Sequence, residues 1–355
     1  MILKNKTVVV TGGTGSFGKV FVRRVLKGEL GIPKKLIVLS RDEAKQNDMR
    51  LSYMKKNVAT DEVIYKNFMN VLEFQIGDVR NYSDVCSAIK NADIVINAAA
   101  LKQVPACEYF AHQAVLTNCI GPSNIVRAIN ENDYPVKIVI GVSTDKACKP
   151  INVMGMTKAL QERIFTSANV KNPKTRFTCV RYGNVLASRG SVIPLFHEQI
   201  KHGGPVTITV KEMTRFLLSL NQAVDTVFAA LKYGKRGETY IPTAPAALVT
   251  DVAKALIGNR KIKIKITGIR PGEKISEILV SEEEIHHCIR RRDHYVITPM
   301  LPELIEKGAK FKQALKKEYS SGDNVLDFKG TLALLKKHDL MISETRLQED
   351  GEFLK

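Results

Sequence analysis

Gly12, Gly15 and Gly18 stand three residues apart, between a short apolar run, Thr7 to Thr11 (TVVVT), and a helical pattern, KVFVRRVLKG. No other stretch restricts the fold as much. The β-branched run reads as a buried strand and the pattern after the loop as a helix. In a strand–turn–helix unit, the first two glycines let the backbone turn and approach a pyrophosphate, and the third lets the helix pack close to the strand. The helix start then offers free N–H groups and a positive dipole end to an anion. Thr14, Ser16 and Phe17 lie within the same loop and belong to the candidate site. A glycine-rich turn without a ligand is the plain alternative, and the flanking strand and helix argue against it.

The pattern repeats along the chain. Lys35 to Ser40 (KLIVLS) predicts a second strand, and a cofactor-reading residue is expected after it. Ser40 and Arg41 stand there; a hydroxyl and a guanidinium suit a 2′-phosphate, favouring NADP over NAD, while Asp42 and Glu43 leave NAD open. QNDMRLSYMKK reads as a helix. Leu72 to Ile76 (LEFQI) predicts a third strand, followed by Gly77, Asp78 and Val79. Asp78 could accept from an adenine amino group or cap the helix beginning near Tyr82. Asp93 to Asn97 (DIVIN) predicts a fourth strand; the small Ala98, Ala99 and Ala100 after it would let a nicotinamide lie against the backbone. Glu108 to Asn132 reads as mostly helical, with Asn118 either a core-facing polar residue or a backbone clamp. Val136 to Val142 (VKIVIGV) completes five strands. Strands alternating with helices imply an α/β fold with a doubly wound parallel sheet. Ligands then bind outside the carboxyl ends of the strands.

Ser143 to Lys158 (STDKACKPINVMGMTK) begins at such an end and packs in Thr144, Asp145, Lys146 and Lys158. Met154 and Lys158 are four apart and share a helix face. Polar groups at a strand end, opposite a lysine on the next helix, make a proton-transfer site. A capped helix start with solvated lysines is the bland reading.

Residues 1–183 form the expected dinucleotide-binding domain. RFTCVRYGNV (Arg176 to Val185) returns to the sheet, after which turn-rich pieces without regular alternation announce a smaller lobe, 184–300. Its expected parts are a strand in GETYIP (Gly237 to Pro242), a helix in VTDVAKALIG and a strand in KIKIKI. In GIRPGEKISEIL (Gly268 to Leu279), Arg270 suits a pyrophosphate and Glu273 suits ribose hydroxyls; a helix-start salt bridge is the alternative. Residues 301–355 read as an extension of two helices with mixed charge.

The formal net charge of +18 raises nucleic acid as a partner. The basic residues are dispersed, however, Trp is absent, and aromatics make up 6%, which is poor for base stacking. Attraction of a diphosphate substrate is the better use of the charge, and no nucleic acid is expected. Six cysteines without metal spacing read as reduced, mostly buried thiols of a cytoplasmic protein. No apolar run approaches the roughly 18 residues of a membrane span, and the start shows no signal-peptide pattern.

TGGTGSFG, SRDE, GDVR, AAALKQVP, STDKA, NVMGMTK, RYGNVLASRGSVIPLF, MTRF and GIRPGEK together resemble the extended short-chain dehydrogenase/reductases of the Rossmann fold. More narrowly, they resemble the polysaccharide-biosynthesis branch that includes UDP-N-acetylglucosamine 4,6-dehydratases. The resemblance covers roughly Asn5 to Val280. It implies a tightly held NADP(H), oxidation of a UDP-sugar at C4, loss of water across C5 and C6, and return of the hydride to C6. The 4-keto-6-deoxy product, with or without inversion at C5, would feed surface glycan synthesis. Lys146 would be the C5 base, Asp145 the acid for the leaving hydroxyl, Thr144 a partner of the C4 oxygen and Lys158 the ribose-binding lysine. Lys102 or Lys158 would be the cationic neighbour that keeps Lys146 neutral. Asn184, Ser191, Arg215, Arg270 and Glu273 would hold the UDP-sugar, with Lys102, Arg189 and Thr207 as further candidates. Relatives associate through the helices near Glu108 to Asn132 and Asn152 to Ala168, which implies a homo-oligomer. One departure stands out: the family's usual catalytic tyrosine is Met154 here, and a thioether cannot take a proton from the C4 hydroxyl. A 4-epimerase or reductase of the same fold, and a non-catalytic NADP-binding protein, are the competing readings.

Overall fold

The computed structural model describes residues 1–54, 61–186, 188, 190–305 and 312–342. Six strands alternate with helices over the first half: β1 (Thr7–Thr11), β2 (Lys35–Ser40), β3 (Leu72–Ile76), β4 (Ile94–Asn97), β5 (Ile138–Val142) and β6 (Arg176–Val180). They pair in parallel in the order β3-β2-β1-β4-β5-β6. β1 and β4 are buried along their whole length. The cause is cover on both faces. Val8 and Val10 join one core cluster with Phe21, Val224 and Val227; Val9 joins another with Ile125, Phe165 and Phe177. Helices on both faces remove the polar alternation a half-wet strand would show, and the sheet is doubly wound.

The helix after β1, α1 (Ser16–Leu26), buries Val20, Phe21, Val22 and Val25. Its close approach depends on Gly18, where a Cβ would lie 2.4 Å from Gly13 Cα. The strand order turns in opposite directions on either side of β1, so the loops leaving β1 and β4 part and open a crevice.

Several elements differ from the sequence expectation. GETYIP forms a strand, Thr239–Pro242, but it extends the main sheet beside β6 instead of building the smaller lobe. The basic IRRRDH segment lies in a hairpin, Cys288–Arg291 with His294–Ile297, that closes the same edge and brings the sheet to nine strands. In KIKIKI only Ile264–Ile266 is a strand, paired with Val206–Ile208. The helix Tyr82–Ile89 is capped by the side chain of Asn81, not by Asp78. The helical stretch after Glu108 breaks at Phe110 and passes through one π-helical turn, Leu116–Ile120. Beyond Leu301 the described residues hold one α-helix, Phe328–Lys337; the rest of the expected two-helix extension, 306–311 and 343–355, lies outside the described residues. Tyr319–Ser320 pairs with Ile278–Val280 and Val325–Leu326 with Ala246–Leu248, so this segment completes the smaller lobe. Its local patterning is helical, but tertiary pairing decides such short pieces. Among the described residues no helix is long and apolar enough to cross a membrane. All six cysteines are unpaired thiols.

Candidate active site

One cavity of about 970 Å³ lies over the carboxyl ends of the parallel strands. Its walls are the segments that follow β1 (Gly12 to Gly18), β2 (Ser40, Arg41), β3 (Asp78, Val79), β4 (Ala98 to Lys102) and β5 (Ser143 to Lys146). Met154 and Lys158 enter from the helix Val153–Lys171, which Asn152 caps at Gly155 N. The smaller lobe supplies Asn184, Ser191, Thr207, Arg215, Arg270 and Glu273. Arg189 lies outside the described residues.

The glycine loop leaves room for a pyrophosphate. Gly12 has φ +66°, and a Cβ there would meet Ala99 Cα at 2.7 Å, so this position requires glycine. At Gly15 a Cβ would touch only Gly12 O, at 3.4 Å; the space above it belongs to the cavity. α1 starts without a side-chain cap and without an acid in its first turn. The helix Val192–Lys201 also starts uncapped and acid-free, and Ser191 and Val192 line the same cavity. By contrast, the helices starting at Tyr82, Val153, Leu220 and Phe328 carry side-chain caps. The helices starting at Val104 and Val249 are also uncapped beside this cavity, and such free amino ends suit anionic groups.

At the adenosine end, the Thr14 and Ser40 hydroxyls hydrogen-bond at 2.8 Å. Arg41 is half-exposed and lies 3.6 Å from Asp78. Asp78 also takes Arg80 Nε at 2.8 Å and Nη2 at 2.6 Å. Burial pushes its carboxyl up, but the bonds from Arg80 outweigh that and hold it below the usual range. These cations occupy the Asp78 side chain.

The central wall holds the polar cluster. Thr144 caps the short turn Asp145–Ala147 and donates to Asp145 Oδ1 at 2.9 Å. Lys146 Nζ donates to the same oxygen at 3.0 Å and lies 3.2 Å from Glu277 Oε1. Burial lifts the Asp145 carboxyl above its ordinary value, against the pull of Lys146. For Lys146 burial acts downward, but Asp145 and Glu277 outweigh it and raise the ammonium. The surroundings thus push both groups toward their protonated forms. A cation that opposes this is Arg215.

Lys158 has different company. Its Nζ donates to Val142 O and to Gln161 Oε1, both at 2.6 Å, and burial pulls it down to about 8. Met154 is buried with Cys107 and Ala114. Asn118 is a backbone clamp: it accepts from Leu101 N and donates to Leu101 O and to Thr157.

On the far wall, Gln199 grips Thr207 from both its amide ends. Arg215 donates to the carbonyls of Thr214, Ile275 and Lys274. The Glu273 carboxylate closes a turn on Arg270 N, and no salt bridge joins the two side chains. Buried side-chain atoms without a hydrogen-bond partner include Thr117 Oγ1, Ser143 Oγ, Asp145 Oδ2, Asn184 Oδ1, Ser191 Oγ and Glu277 Oε2. All six belong to residues of this cavity wall. Leaving each one dry costs roughly 1–3 kcal/mol, so the cavity is built for a polar ligand.

Sequence reasoning passed over Glu277 and Gln161. Glu277 had one signal: an acid inside the apolar SEILV, where a short strand would bury it. Gln161 had none, because a glutamine on a long helix reads as surface.

A doubly wound sheet, a glycine turn and a polar cluster after β5 define an extended short-chain dehydrogenase/reductase. The chain belongs to the polysaccharide biosynthesis protein family, whose profile matches residues 8–299. It is 46% identical over 287 residues to a UDP-glucose 4-epimerase of Rickettsia bellii, covering 79% of each chain. The crystal structure of Pen from Bacillus thuringiensis superposes with a TM-score of 0.84 at 36% identity, over 96% of this chain and all of that one. At 19% identity, DesIV, a dTDP-glucose 4,6-dehydratase from Streptomyces venezuelae solved with NAD and TYD, shares the fold with a TM-score of 0.64, over 76% and 86% of the chains.

Proposed function

We propose that the chain is an NADP-dependent nucleotide-sugar 4,6-dehydratase acting on UDP-N-acetylglucosamine. The observation that carries this reading is the pairing of Asp145 with Lys146 in the cavity wall, a carboxyl group and an amine 3.0 Å apart that can serve as acid and base once the lysine has given up its proton. An epimerization at C4 needs no base for C5; an elimination across C5 and C6 needs both a base and an acid.

The open glycine cradle and the uncapped start of α1 fit a dinucleotide. Gly12 to Gly18 would hold its pyrophosphate and Ala98 to Ala100 would border its nicotinamide. Arg41, with Ser40 and Thr14, supports NADP over NAD. The chemistry a bound nicotinamide supplies is reversible acceptance of hydride at C4 and its return at C6. Arg215, Arg270, Asn184, Ser191 and the start of the Val192–Lys201 helix would receive the UDP.

Lys158 replaces the missing tyrosine as base for the C4 hydroxyl. As a neutral amine it has two N–H bonds, and Val142 O and Gln161 Oε1 occupy both. Its lone pair then remains for the substrate. Once C4 is a carbonyl, the C5 proton is acidic. Lys146 removes it, Asp145 protonates the C6 hydroxyl, and water departs.

Exposed Tyr109, Phe110, Met156 and Leu160, on helices that pack together, support association of copies of this chain. The names of the 46%-identical relatives favour a second reading, a UDP-sugar 4-epimerase. Mass spectrometry of UDP-N-acetylglucosamine after incubation with the enzyme separates the two. The dehydratase yields a product lighter by one water; an isomer of unchanged mass supports the epimerase.

A further inference from the structure

The elimination demands a neutral Lys146, yet the wall holds it charged between two carboxyl groups. Asp145 must keep its own proton for the leaving hydroxyl and so cannot take the one Lys146 has to lose. Glu277 can. Its backbone is fixed by Ser321, which accepts from Glu277 N at 2.9 Å and donates from its own N to Glu277 O at 2.8 Å. Its Oε1 lies 3.2 Å from Lys146 Nζ and 3.8 Å from Arg215 Nε, and its Oε2 is buried without a partner. The charged groups facing Glu277 and Lys146 are Asp145, Arg215 and Lys274.

Resting on the 4,6-elimination above, we propose that Glu277 is a positioning residue that stores the proton of Lys146 while the sugar nucleotide is bound. A diphosphate at Arg215 adds negative charge on the Glu277 side of the pair, which favours a proton there. The sugar also covers the exposed fifth of the Lys146 side chain. A pair cut off from water is favoured as two neutral groups over two ions. The transfer breaks one N–H bond of Lys146 and forms one O–H bond on Glu277, with no change in net charge. Neutral Lys146 takes the C5 proton; the C–H electrons form the C5–C6 double bond as the C6–O bond breaks and Asp145 protonates the departing oxygen. Lys146 then passes its new proton to Asp145 across 3.0 Å. Glu277 returns the stored proton to Lys146, which delivers it to C5. The proton released from the C4 hydroxyl reaches the pair through solvent and restores the charged lysine.

Glu277→Gln tests this in the full-length enzyme with UDP-N-acetylglucosamine in deuterated water. A store predicts that C4 oxidation, read as nicotinamide absorbance on mixing, stays within about threefold of wild type while C5 deuteration and product fall about 100-fold near neutral pH. The pH profile of product formation moves to the alkaline side, and Glu277→Asp restores at least a tenth of the rate. A carboxylate that merely clamps the ammonium predicts the reverse: its removal frees the amine, and elimination is unchanged or faster. That result overturns the proposal. If wild type itself loses no water, the dehydratase reading falls instead. Infrared difference spectra of the wild type, with and without UDP, decide even if the glutamine variant does not fold. A new protonated-carboxyl band is expected, and its absence contradicts the store.

Discussion

Lys146 and Lys158 share one cavity wall, twelve residues apart, and their surroundings push them in opposite directions. Lys146 lies in the short turn after β5 and faces Asp145 and Glu277, so its charge is held. Lys158 projects from a helix and donates to two neutral carbonyl oxygens, so burial outweighs the more distant Glu162 and pulls it down to about 8. The difference teaches that the environment, not the side chain, assigns the role. On the proposed reading, a lysine between carboxylates needs a proton store before it can act on carbon. On the same reading, a lysine among carbonyls takes the proton of a hydroxyl.

The largest break in this comparison comes from Lys146→Met. Product formation should fall about 10³- to 10⁴-fold while C4 oxidation persists, since a C5 base has no part in that step. Loss of both in a stopped-flow trace would show that the two lysines are not separable.

Lys158→Met should invert the pattern, lowering C4 oxidation about 10²- to 10³-fold. It also carries a stability signature. Unfolded, the lysine titrates near 10.5; folded, near 8. Between these values the unfolded chain binds a proton that the folded chain does not, so wild-type stability rises with pH across that window. Below it, the charged amine bears a cost of about 3 kcal/mol. Urea unfolding should show wild type gaining about that much on the variant between pH 8 and 10.5. Parallel curves would contradict the assignment.

Gln161→Leu sharpens the contrast with the smallest effect. Removing one acceptor weakens the charged form of Lys158 further, so the acid limb of C4 oxidation should move down by about one pH unit. The rate at the optimum should change less than about threefold. A pH–rate profile of the fast phase measures both.

The nucleotide half was legible in the sequence because its signals are local. Three glycines, a strand before and a helix after fix Gly12, Gly15 and Gly18 in place, and the ends of β2 and β3 fall on the predicted residues. The polar stretch after β5 was half legible: Thr144, Asp145, Lys146, Met154 and Lys158 sit within sixteen residues and line one cavity. What those lysines feel was not. Glu277 and Arg215 reach Lys146 through the smaller lobe, over 131 and 69 residues of chain, and no spacing rule spans such distances. The strand Thr239–Pro242 was misplaced for the same reason: alternation announces a strand but not its neighbour.

Proton nuclear magnetic resonance of the product formed from UDP-N-acetylglucosamine in deuterated water tests the central claim, that Lys146 takes a proton from C5, most directly. The account predicts a 4-keto-6-deoxy sugar bearing solvent deuterium at C5. A nucleotide sugar of unchanged mass that keeps its original hydrogen at C5 would contradict it.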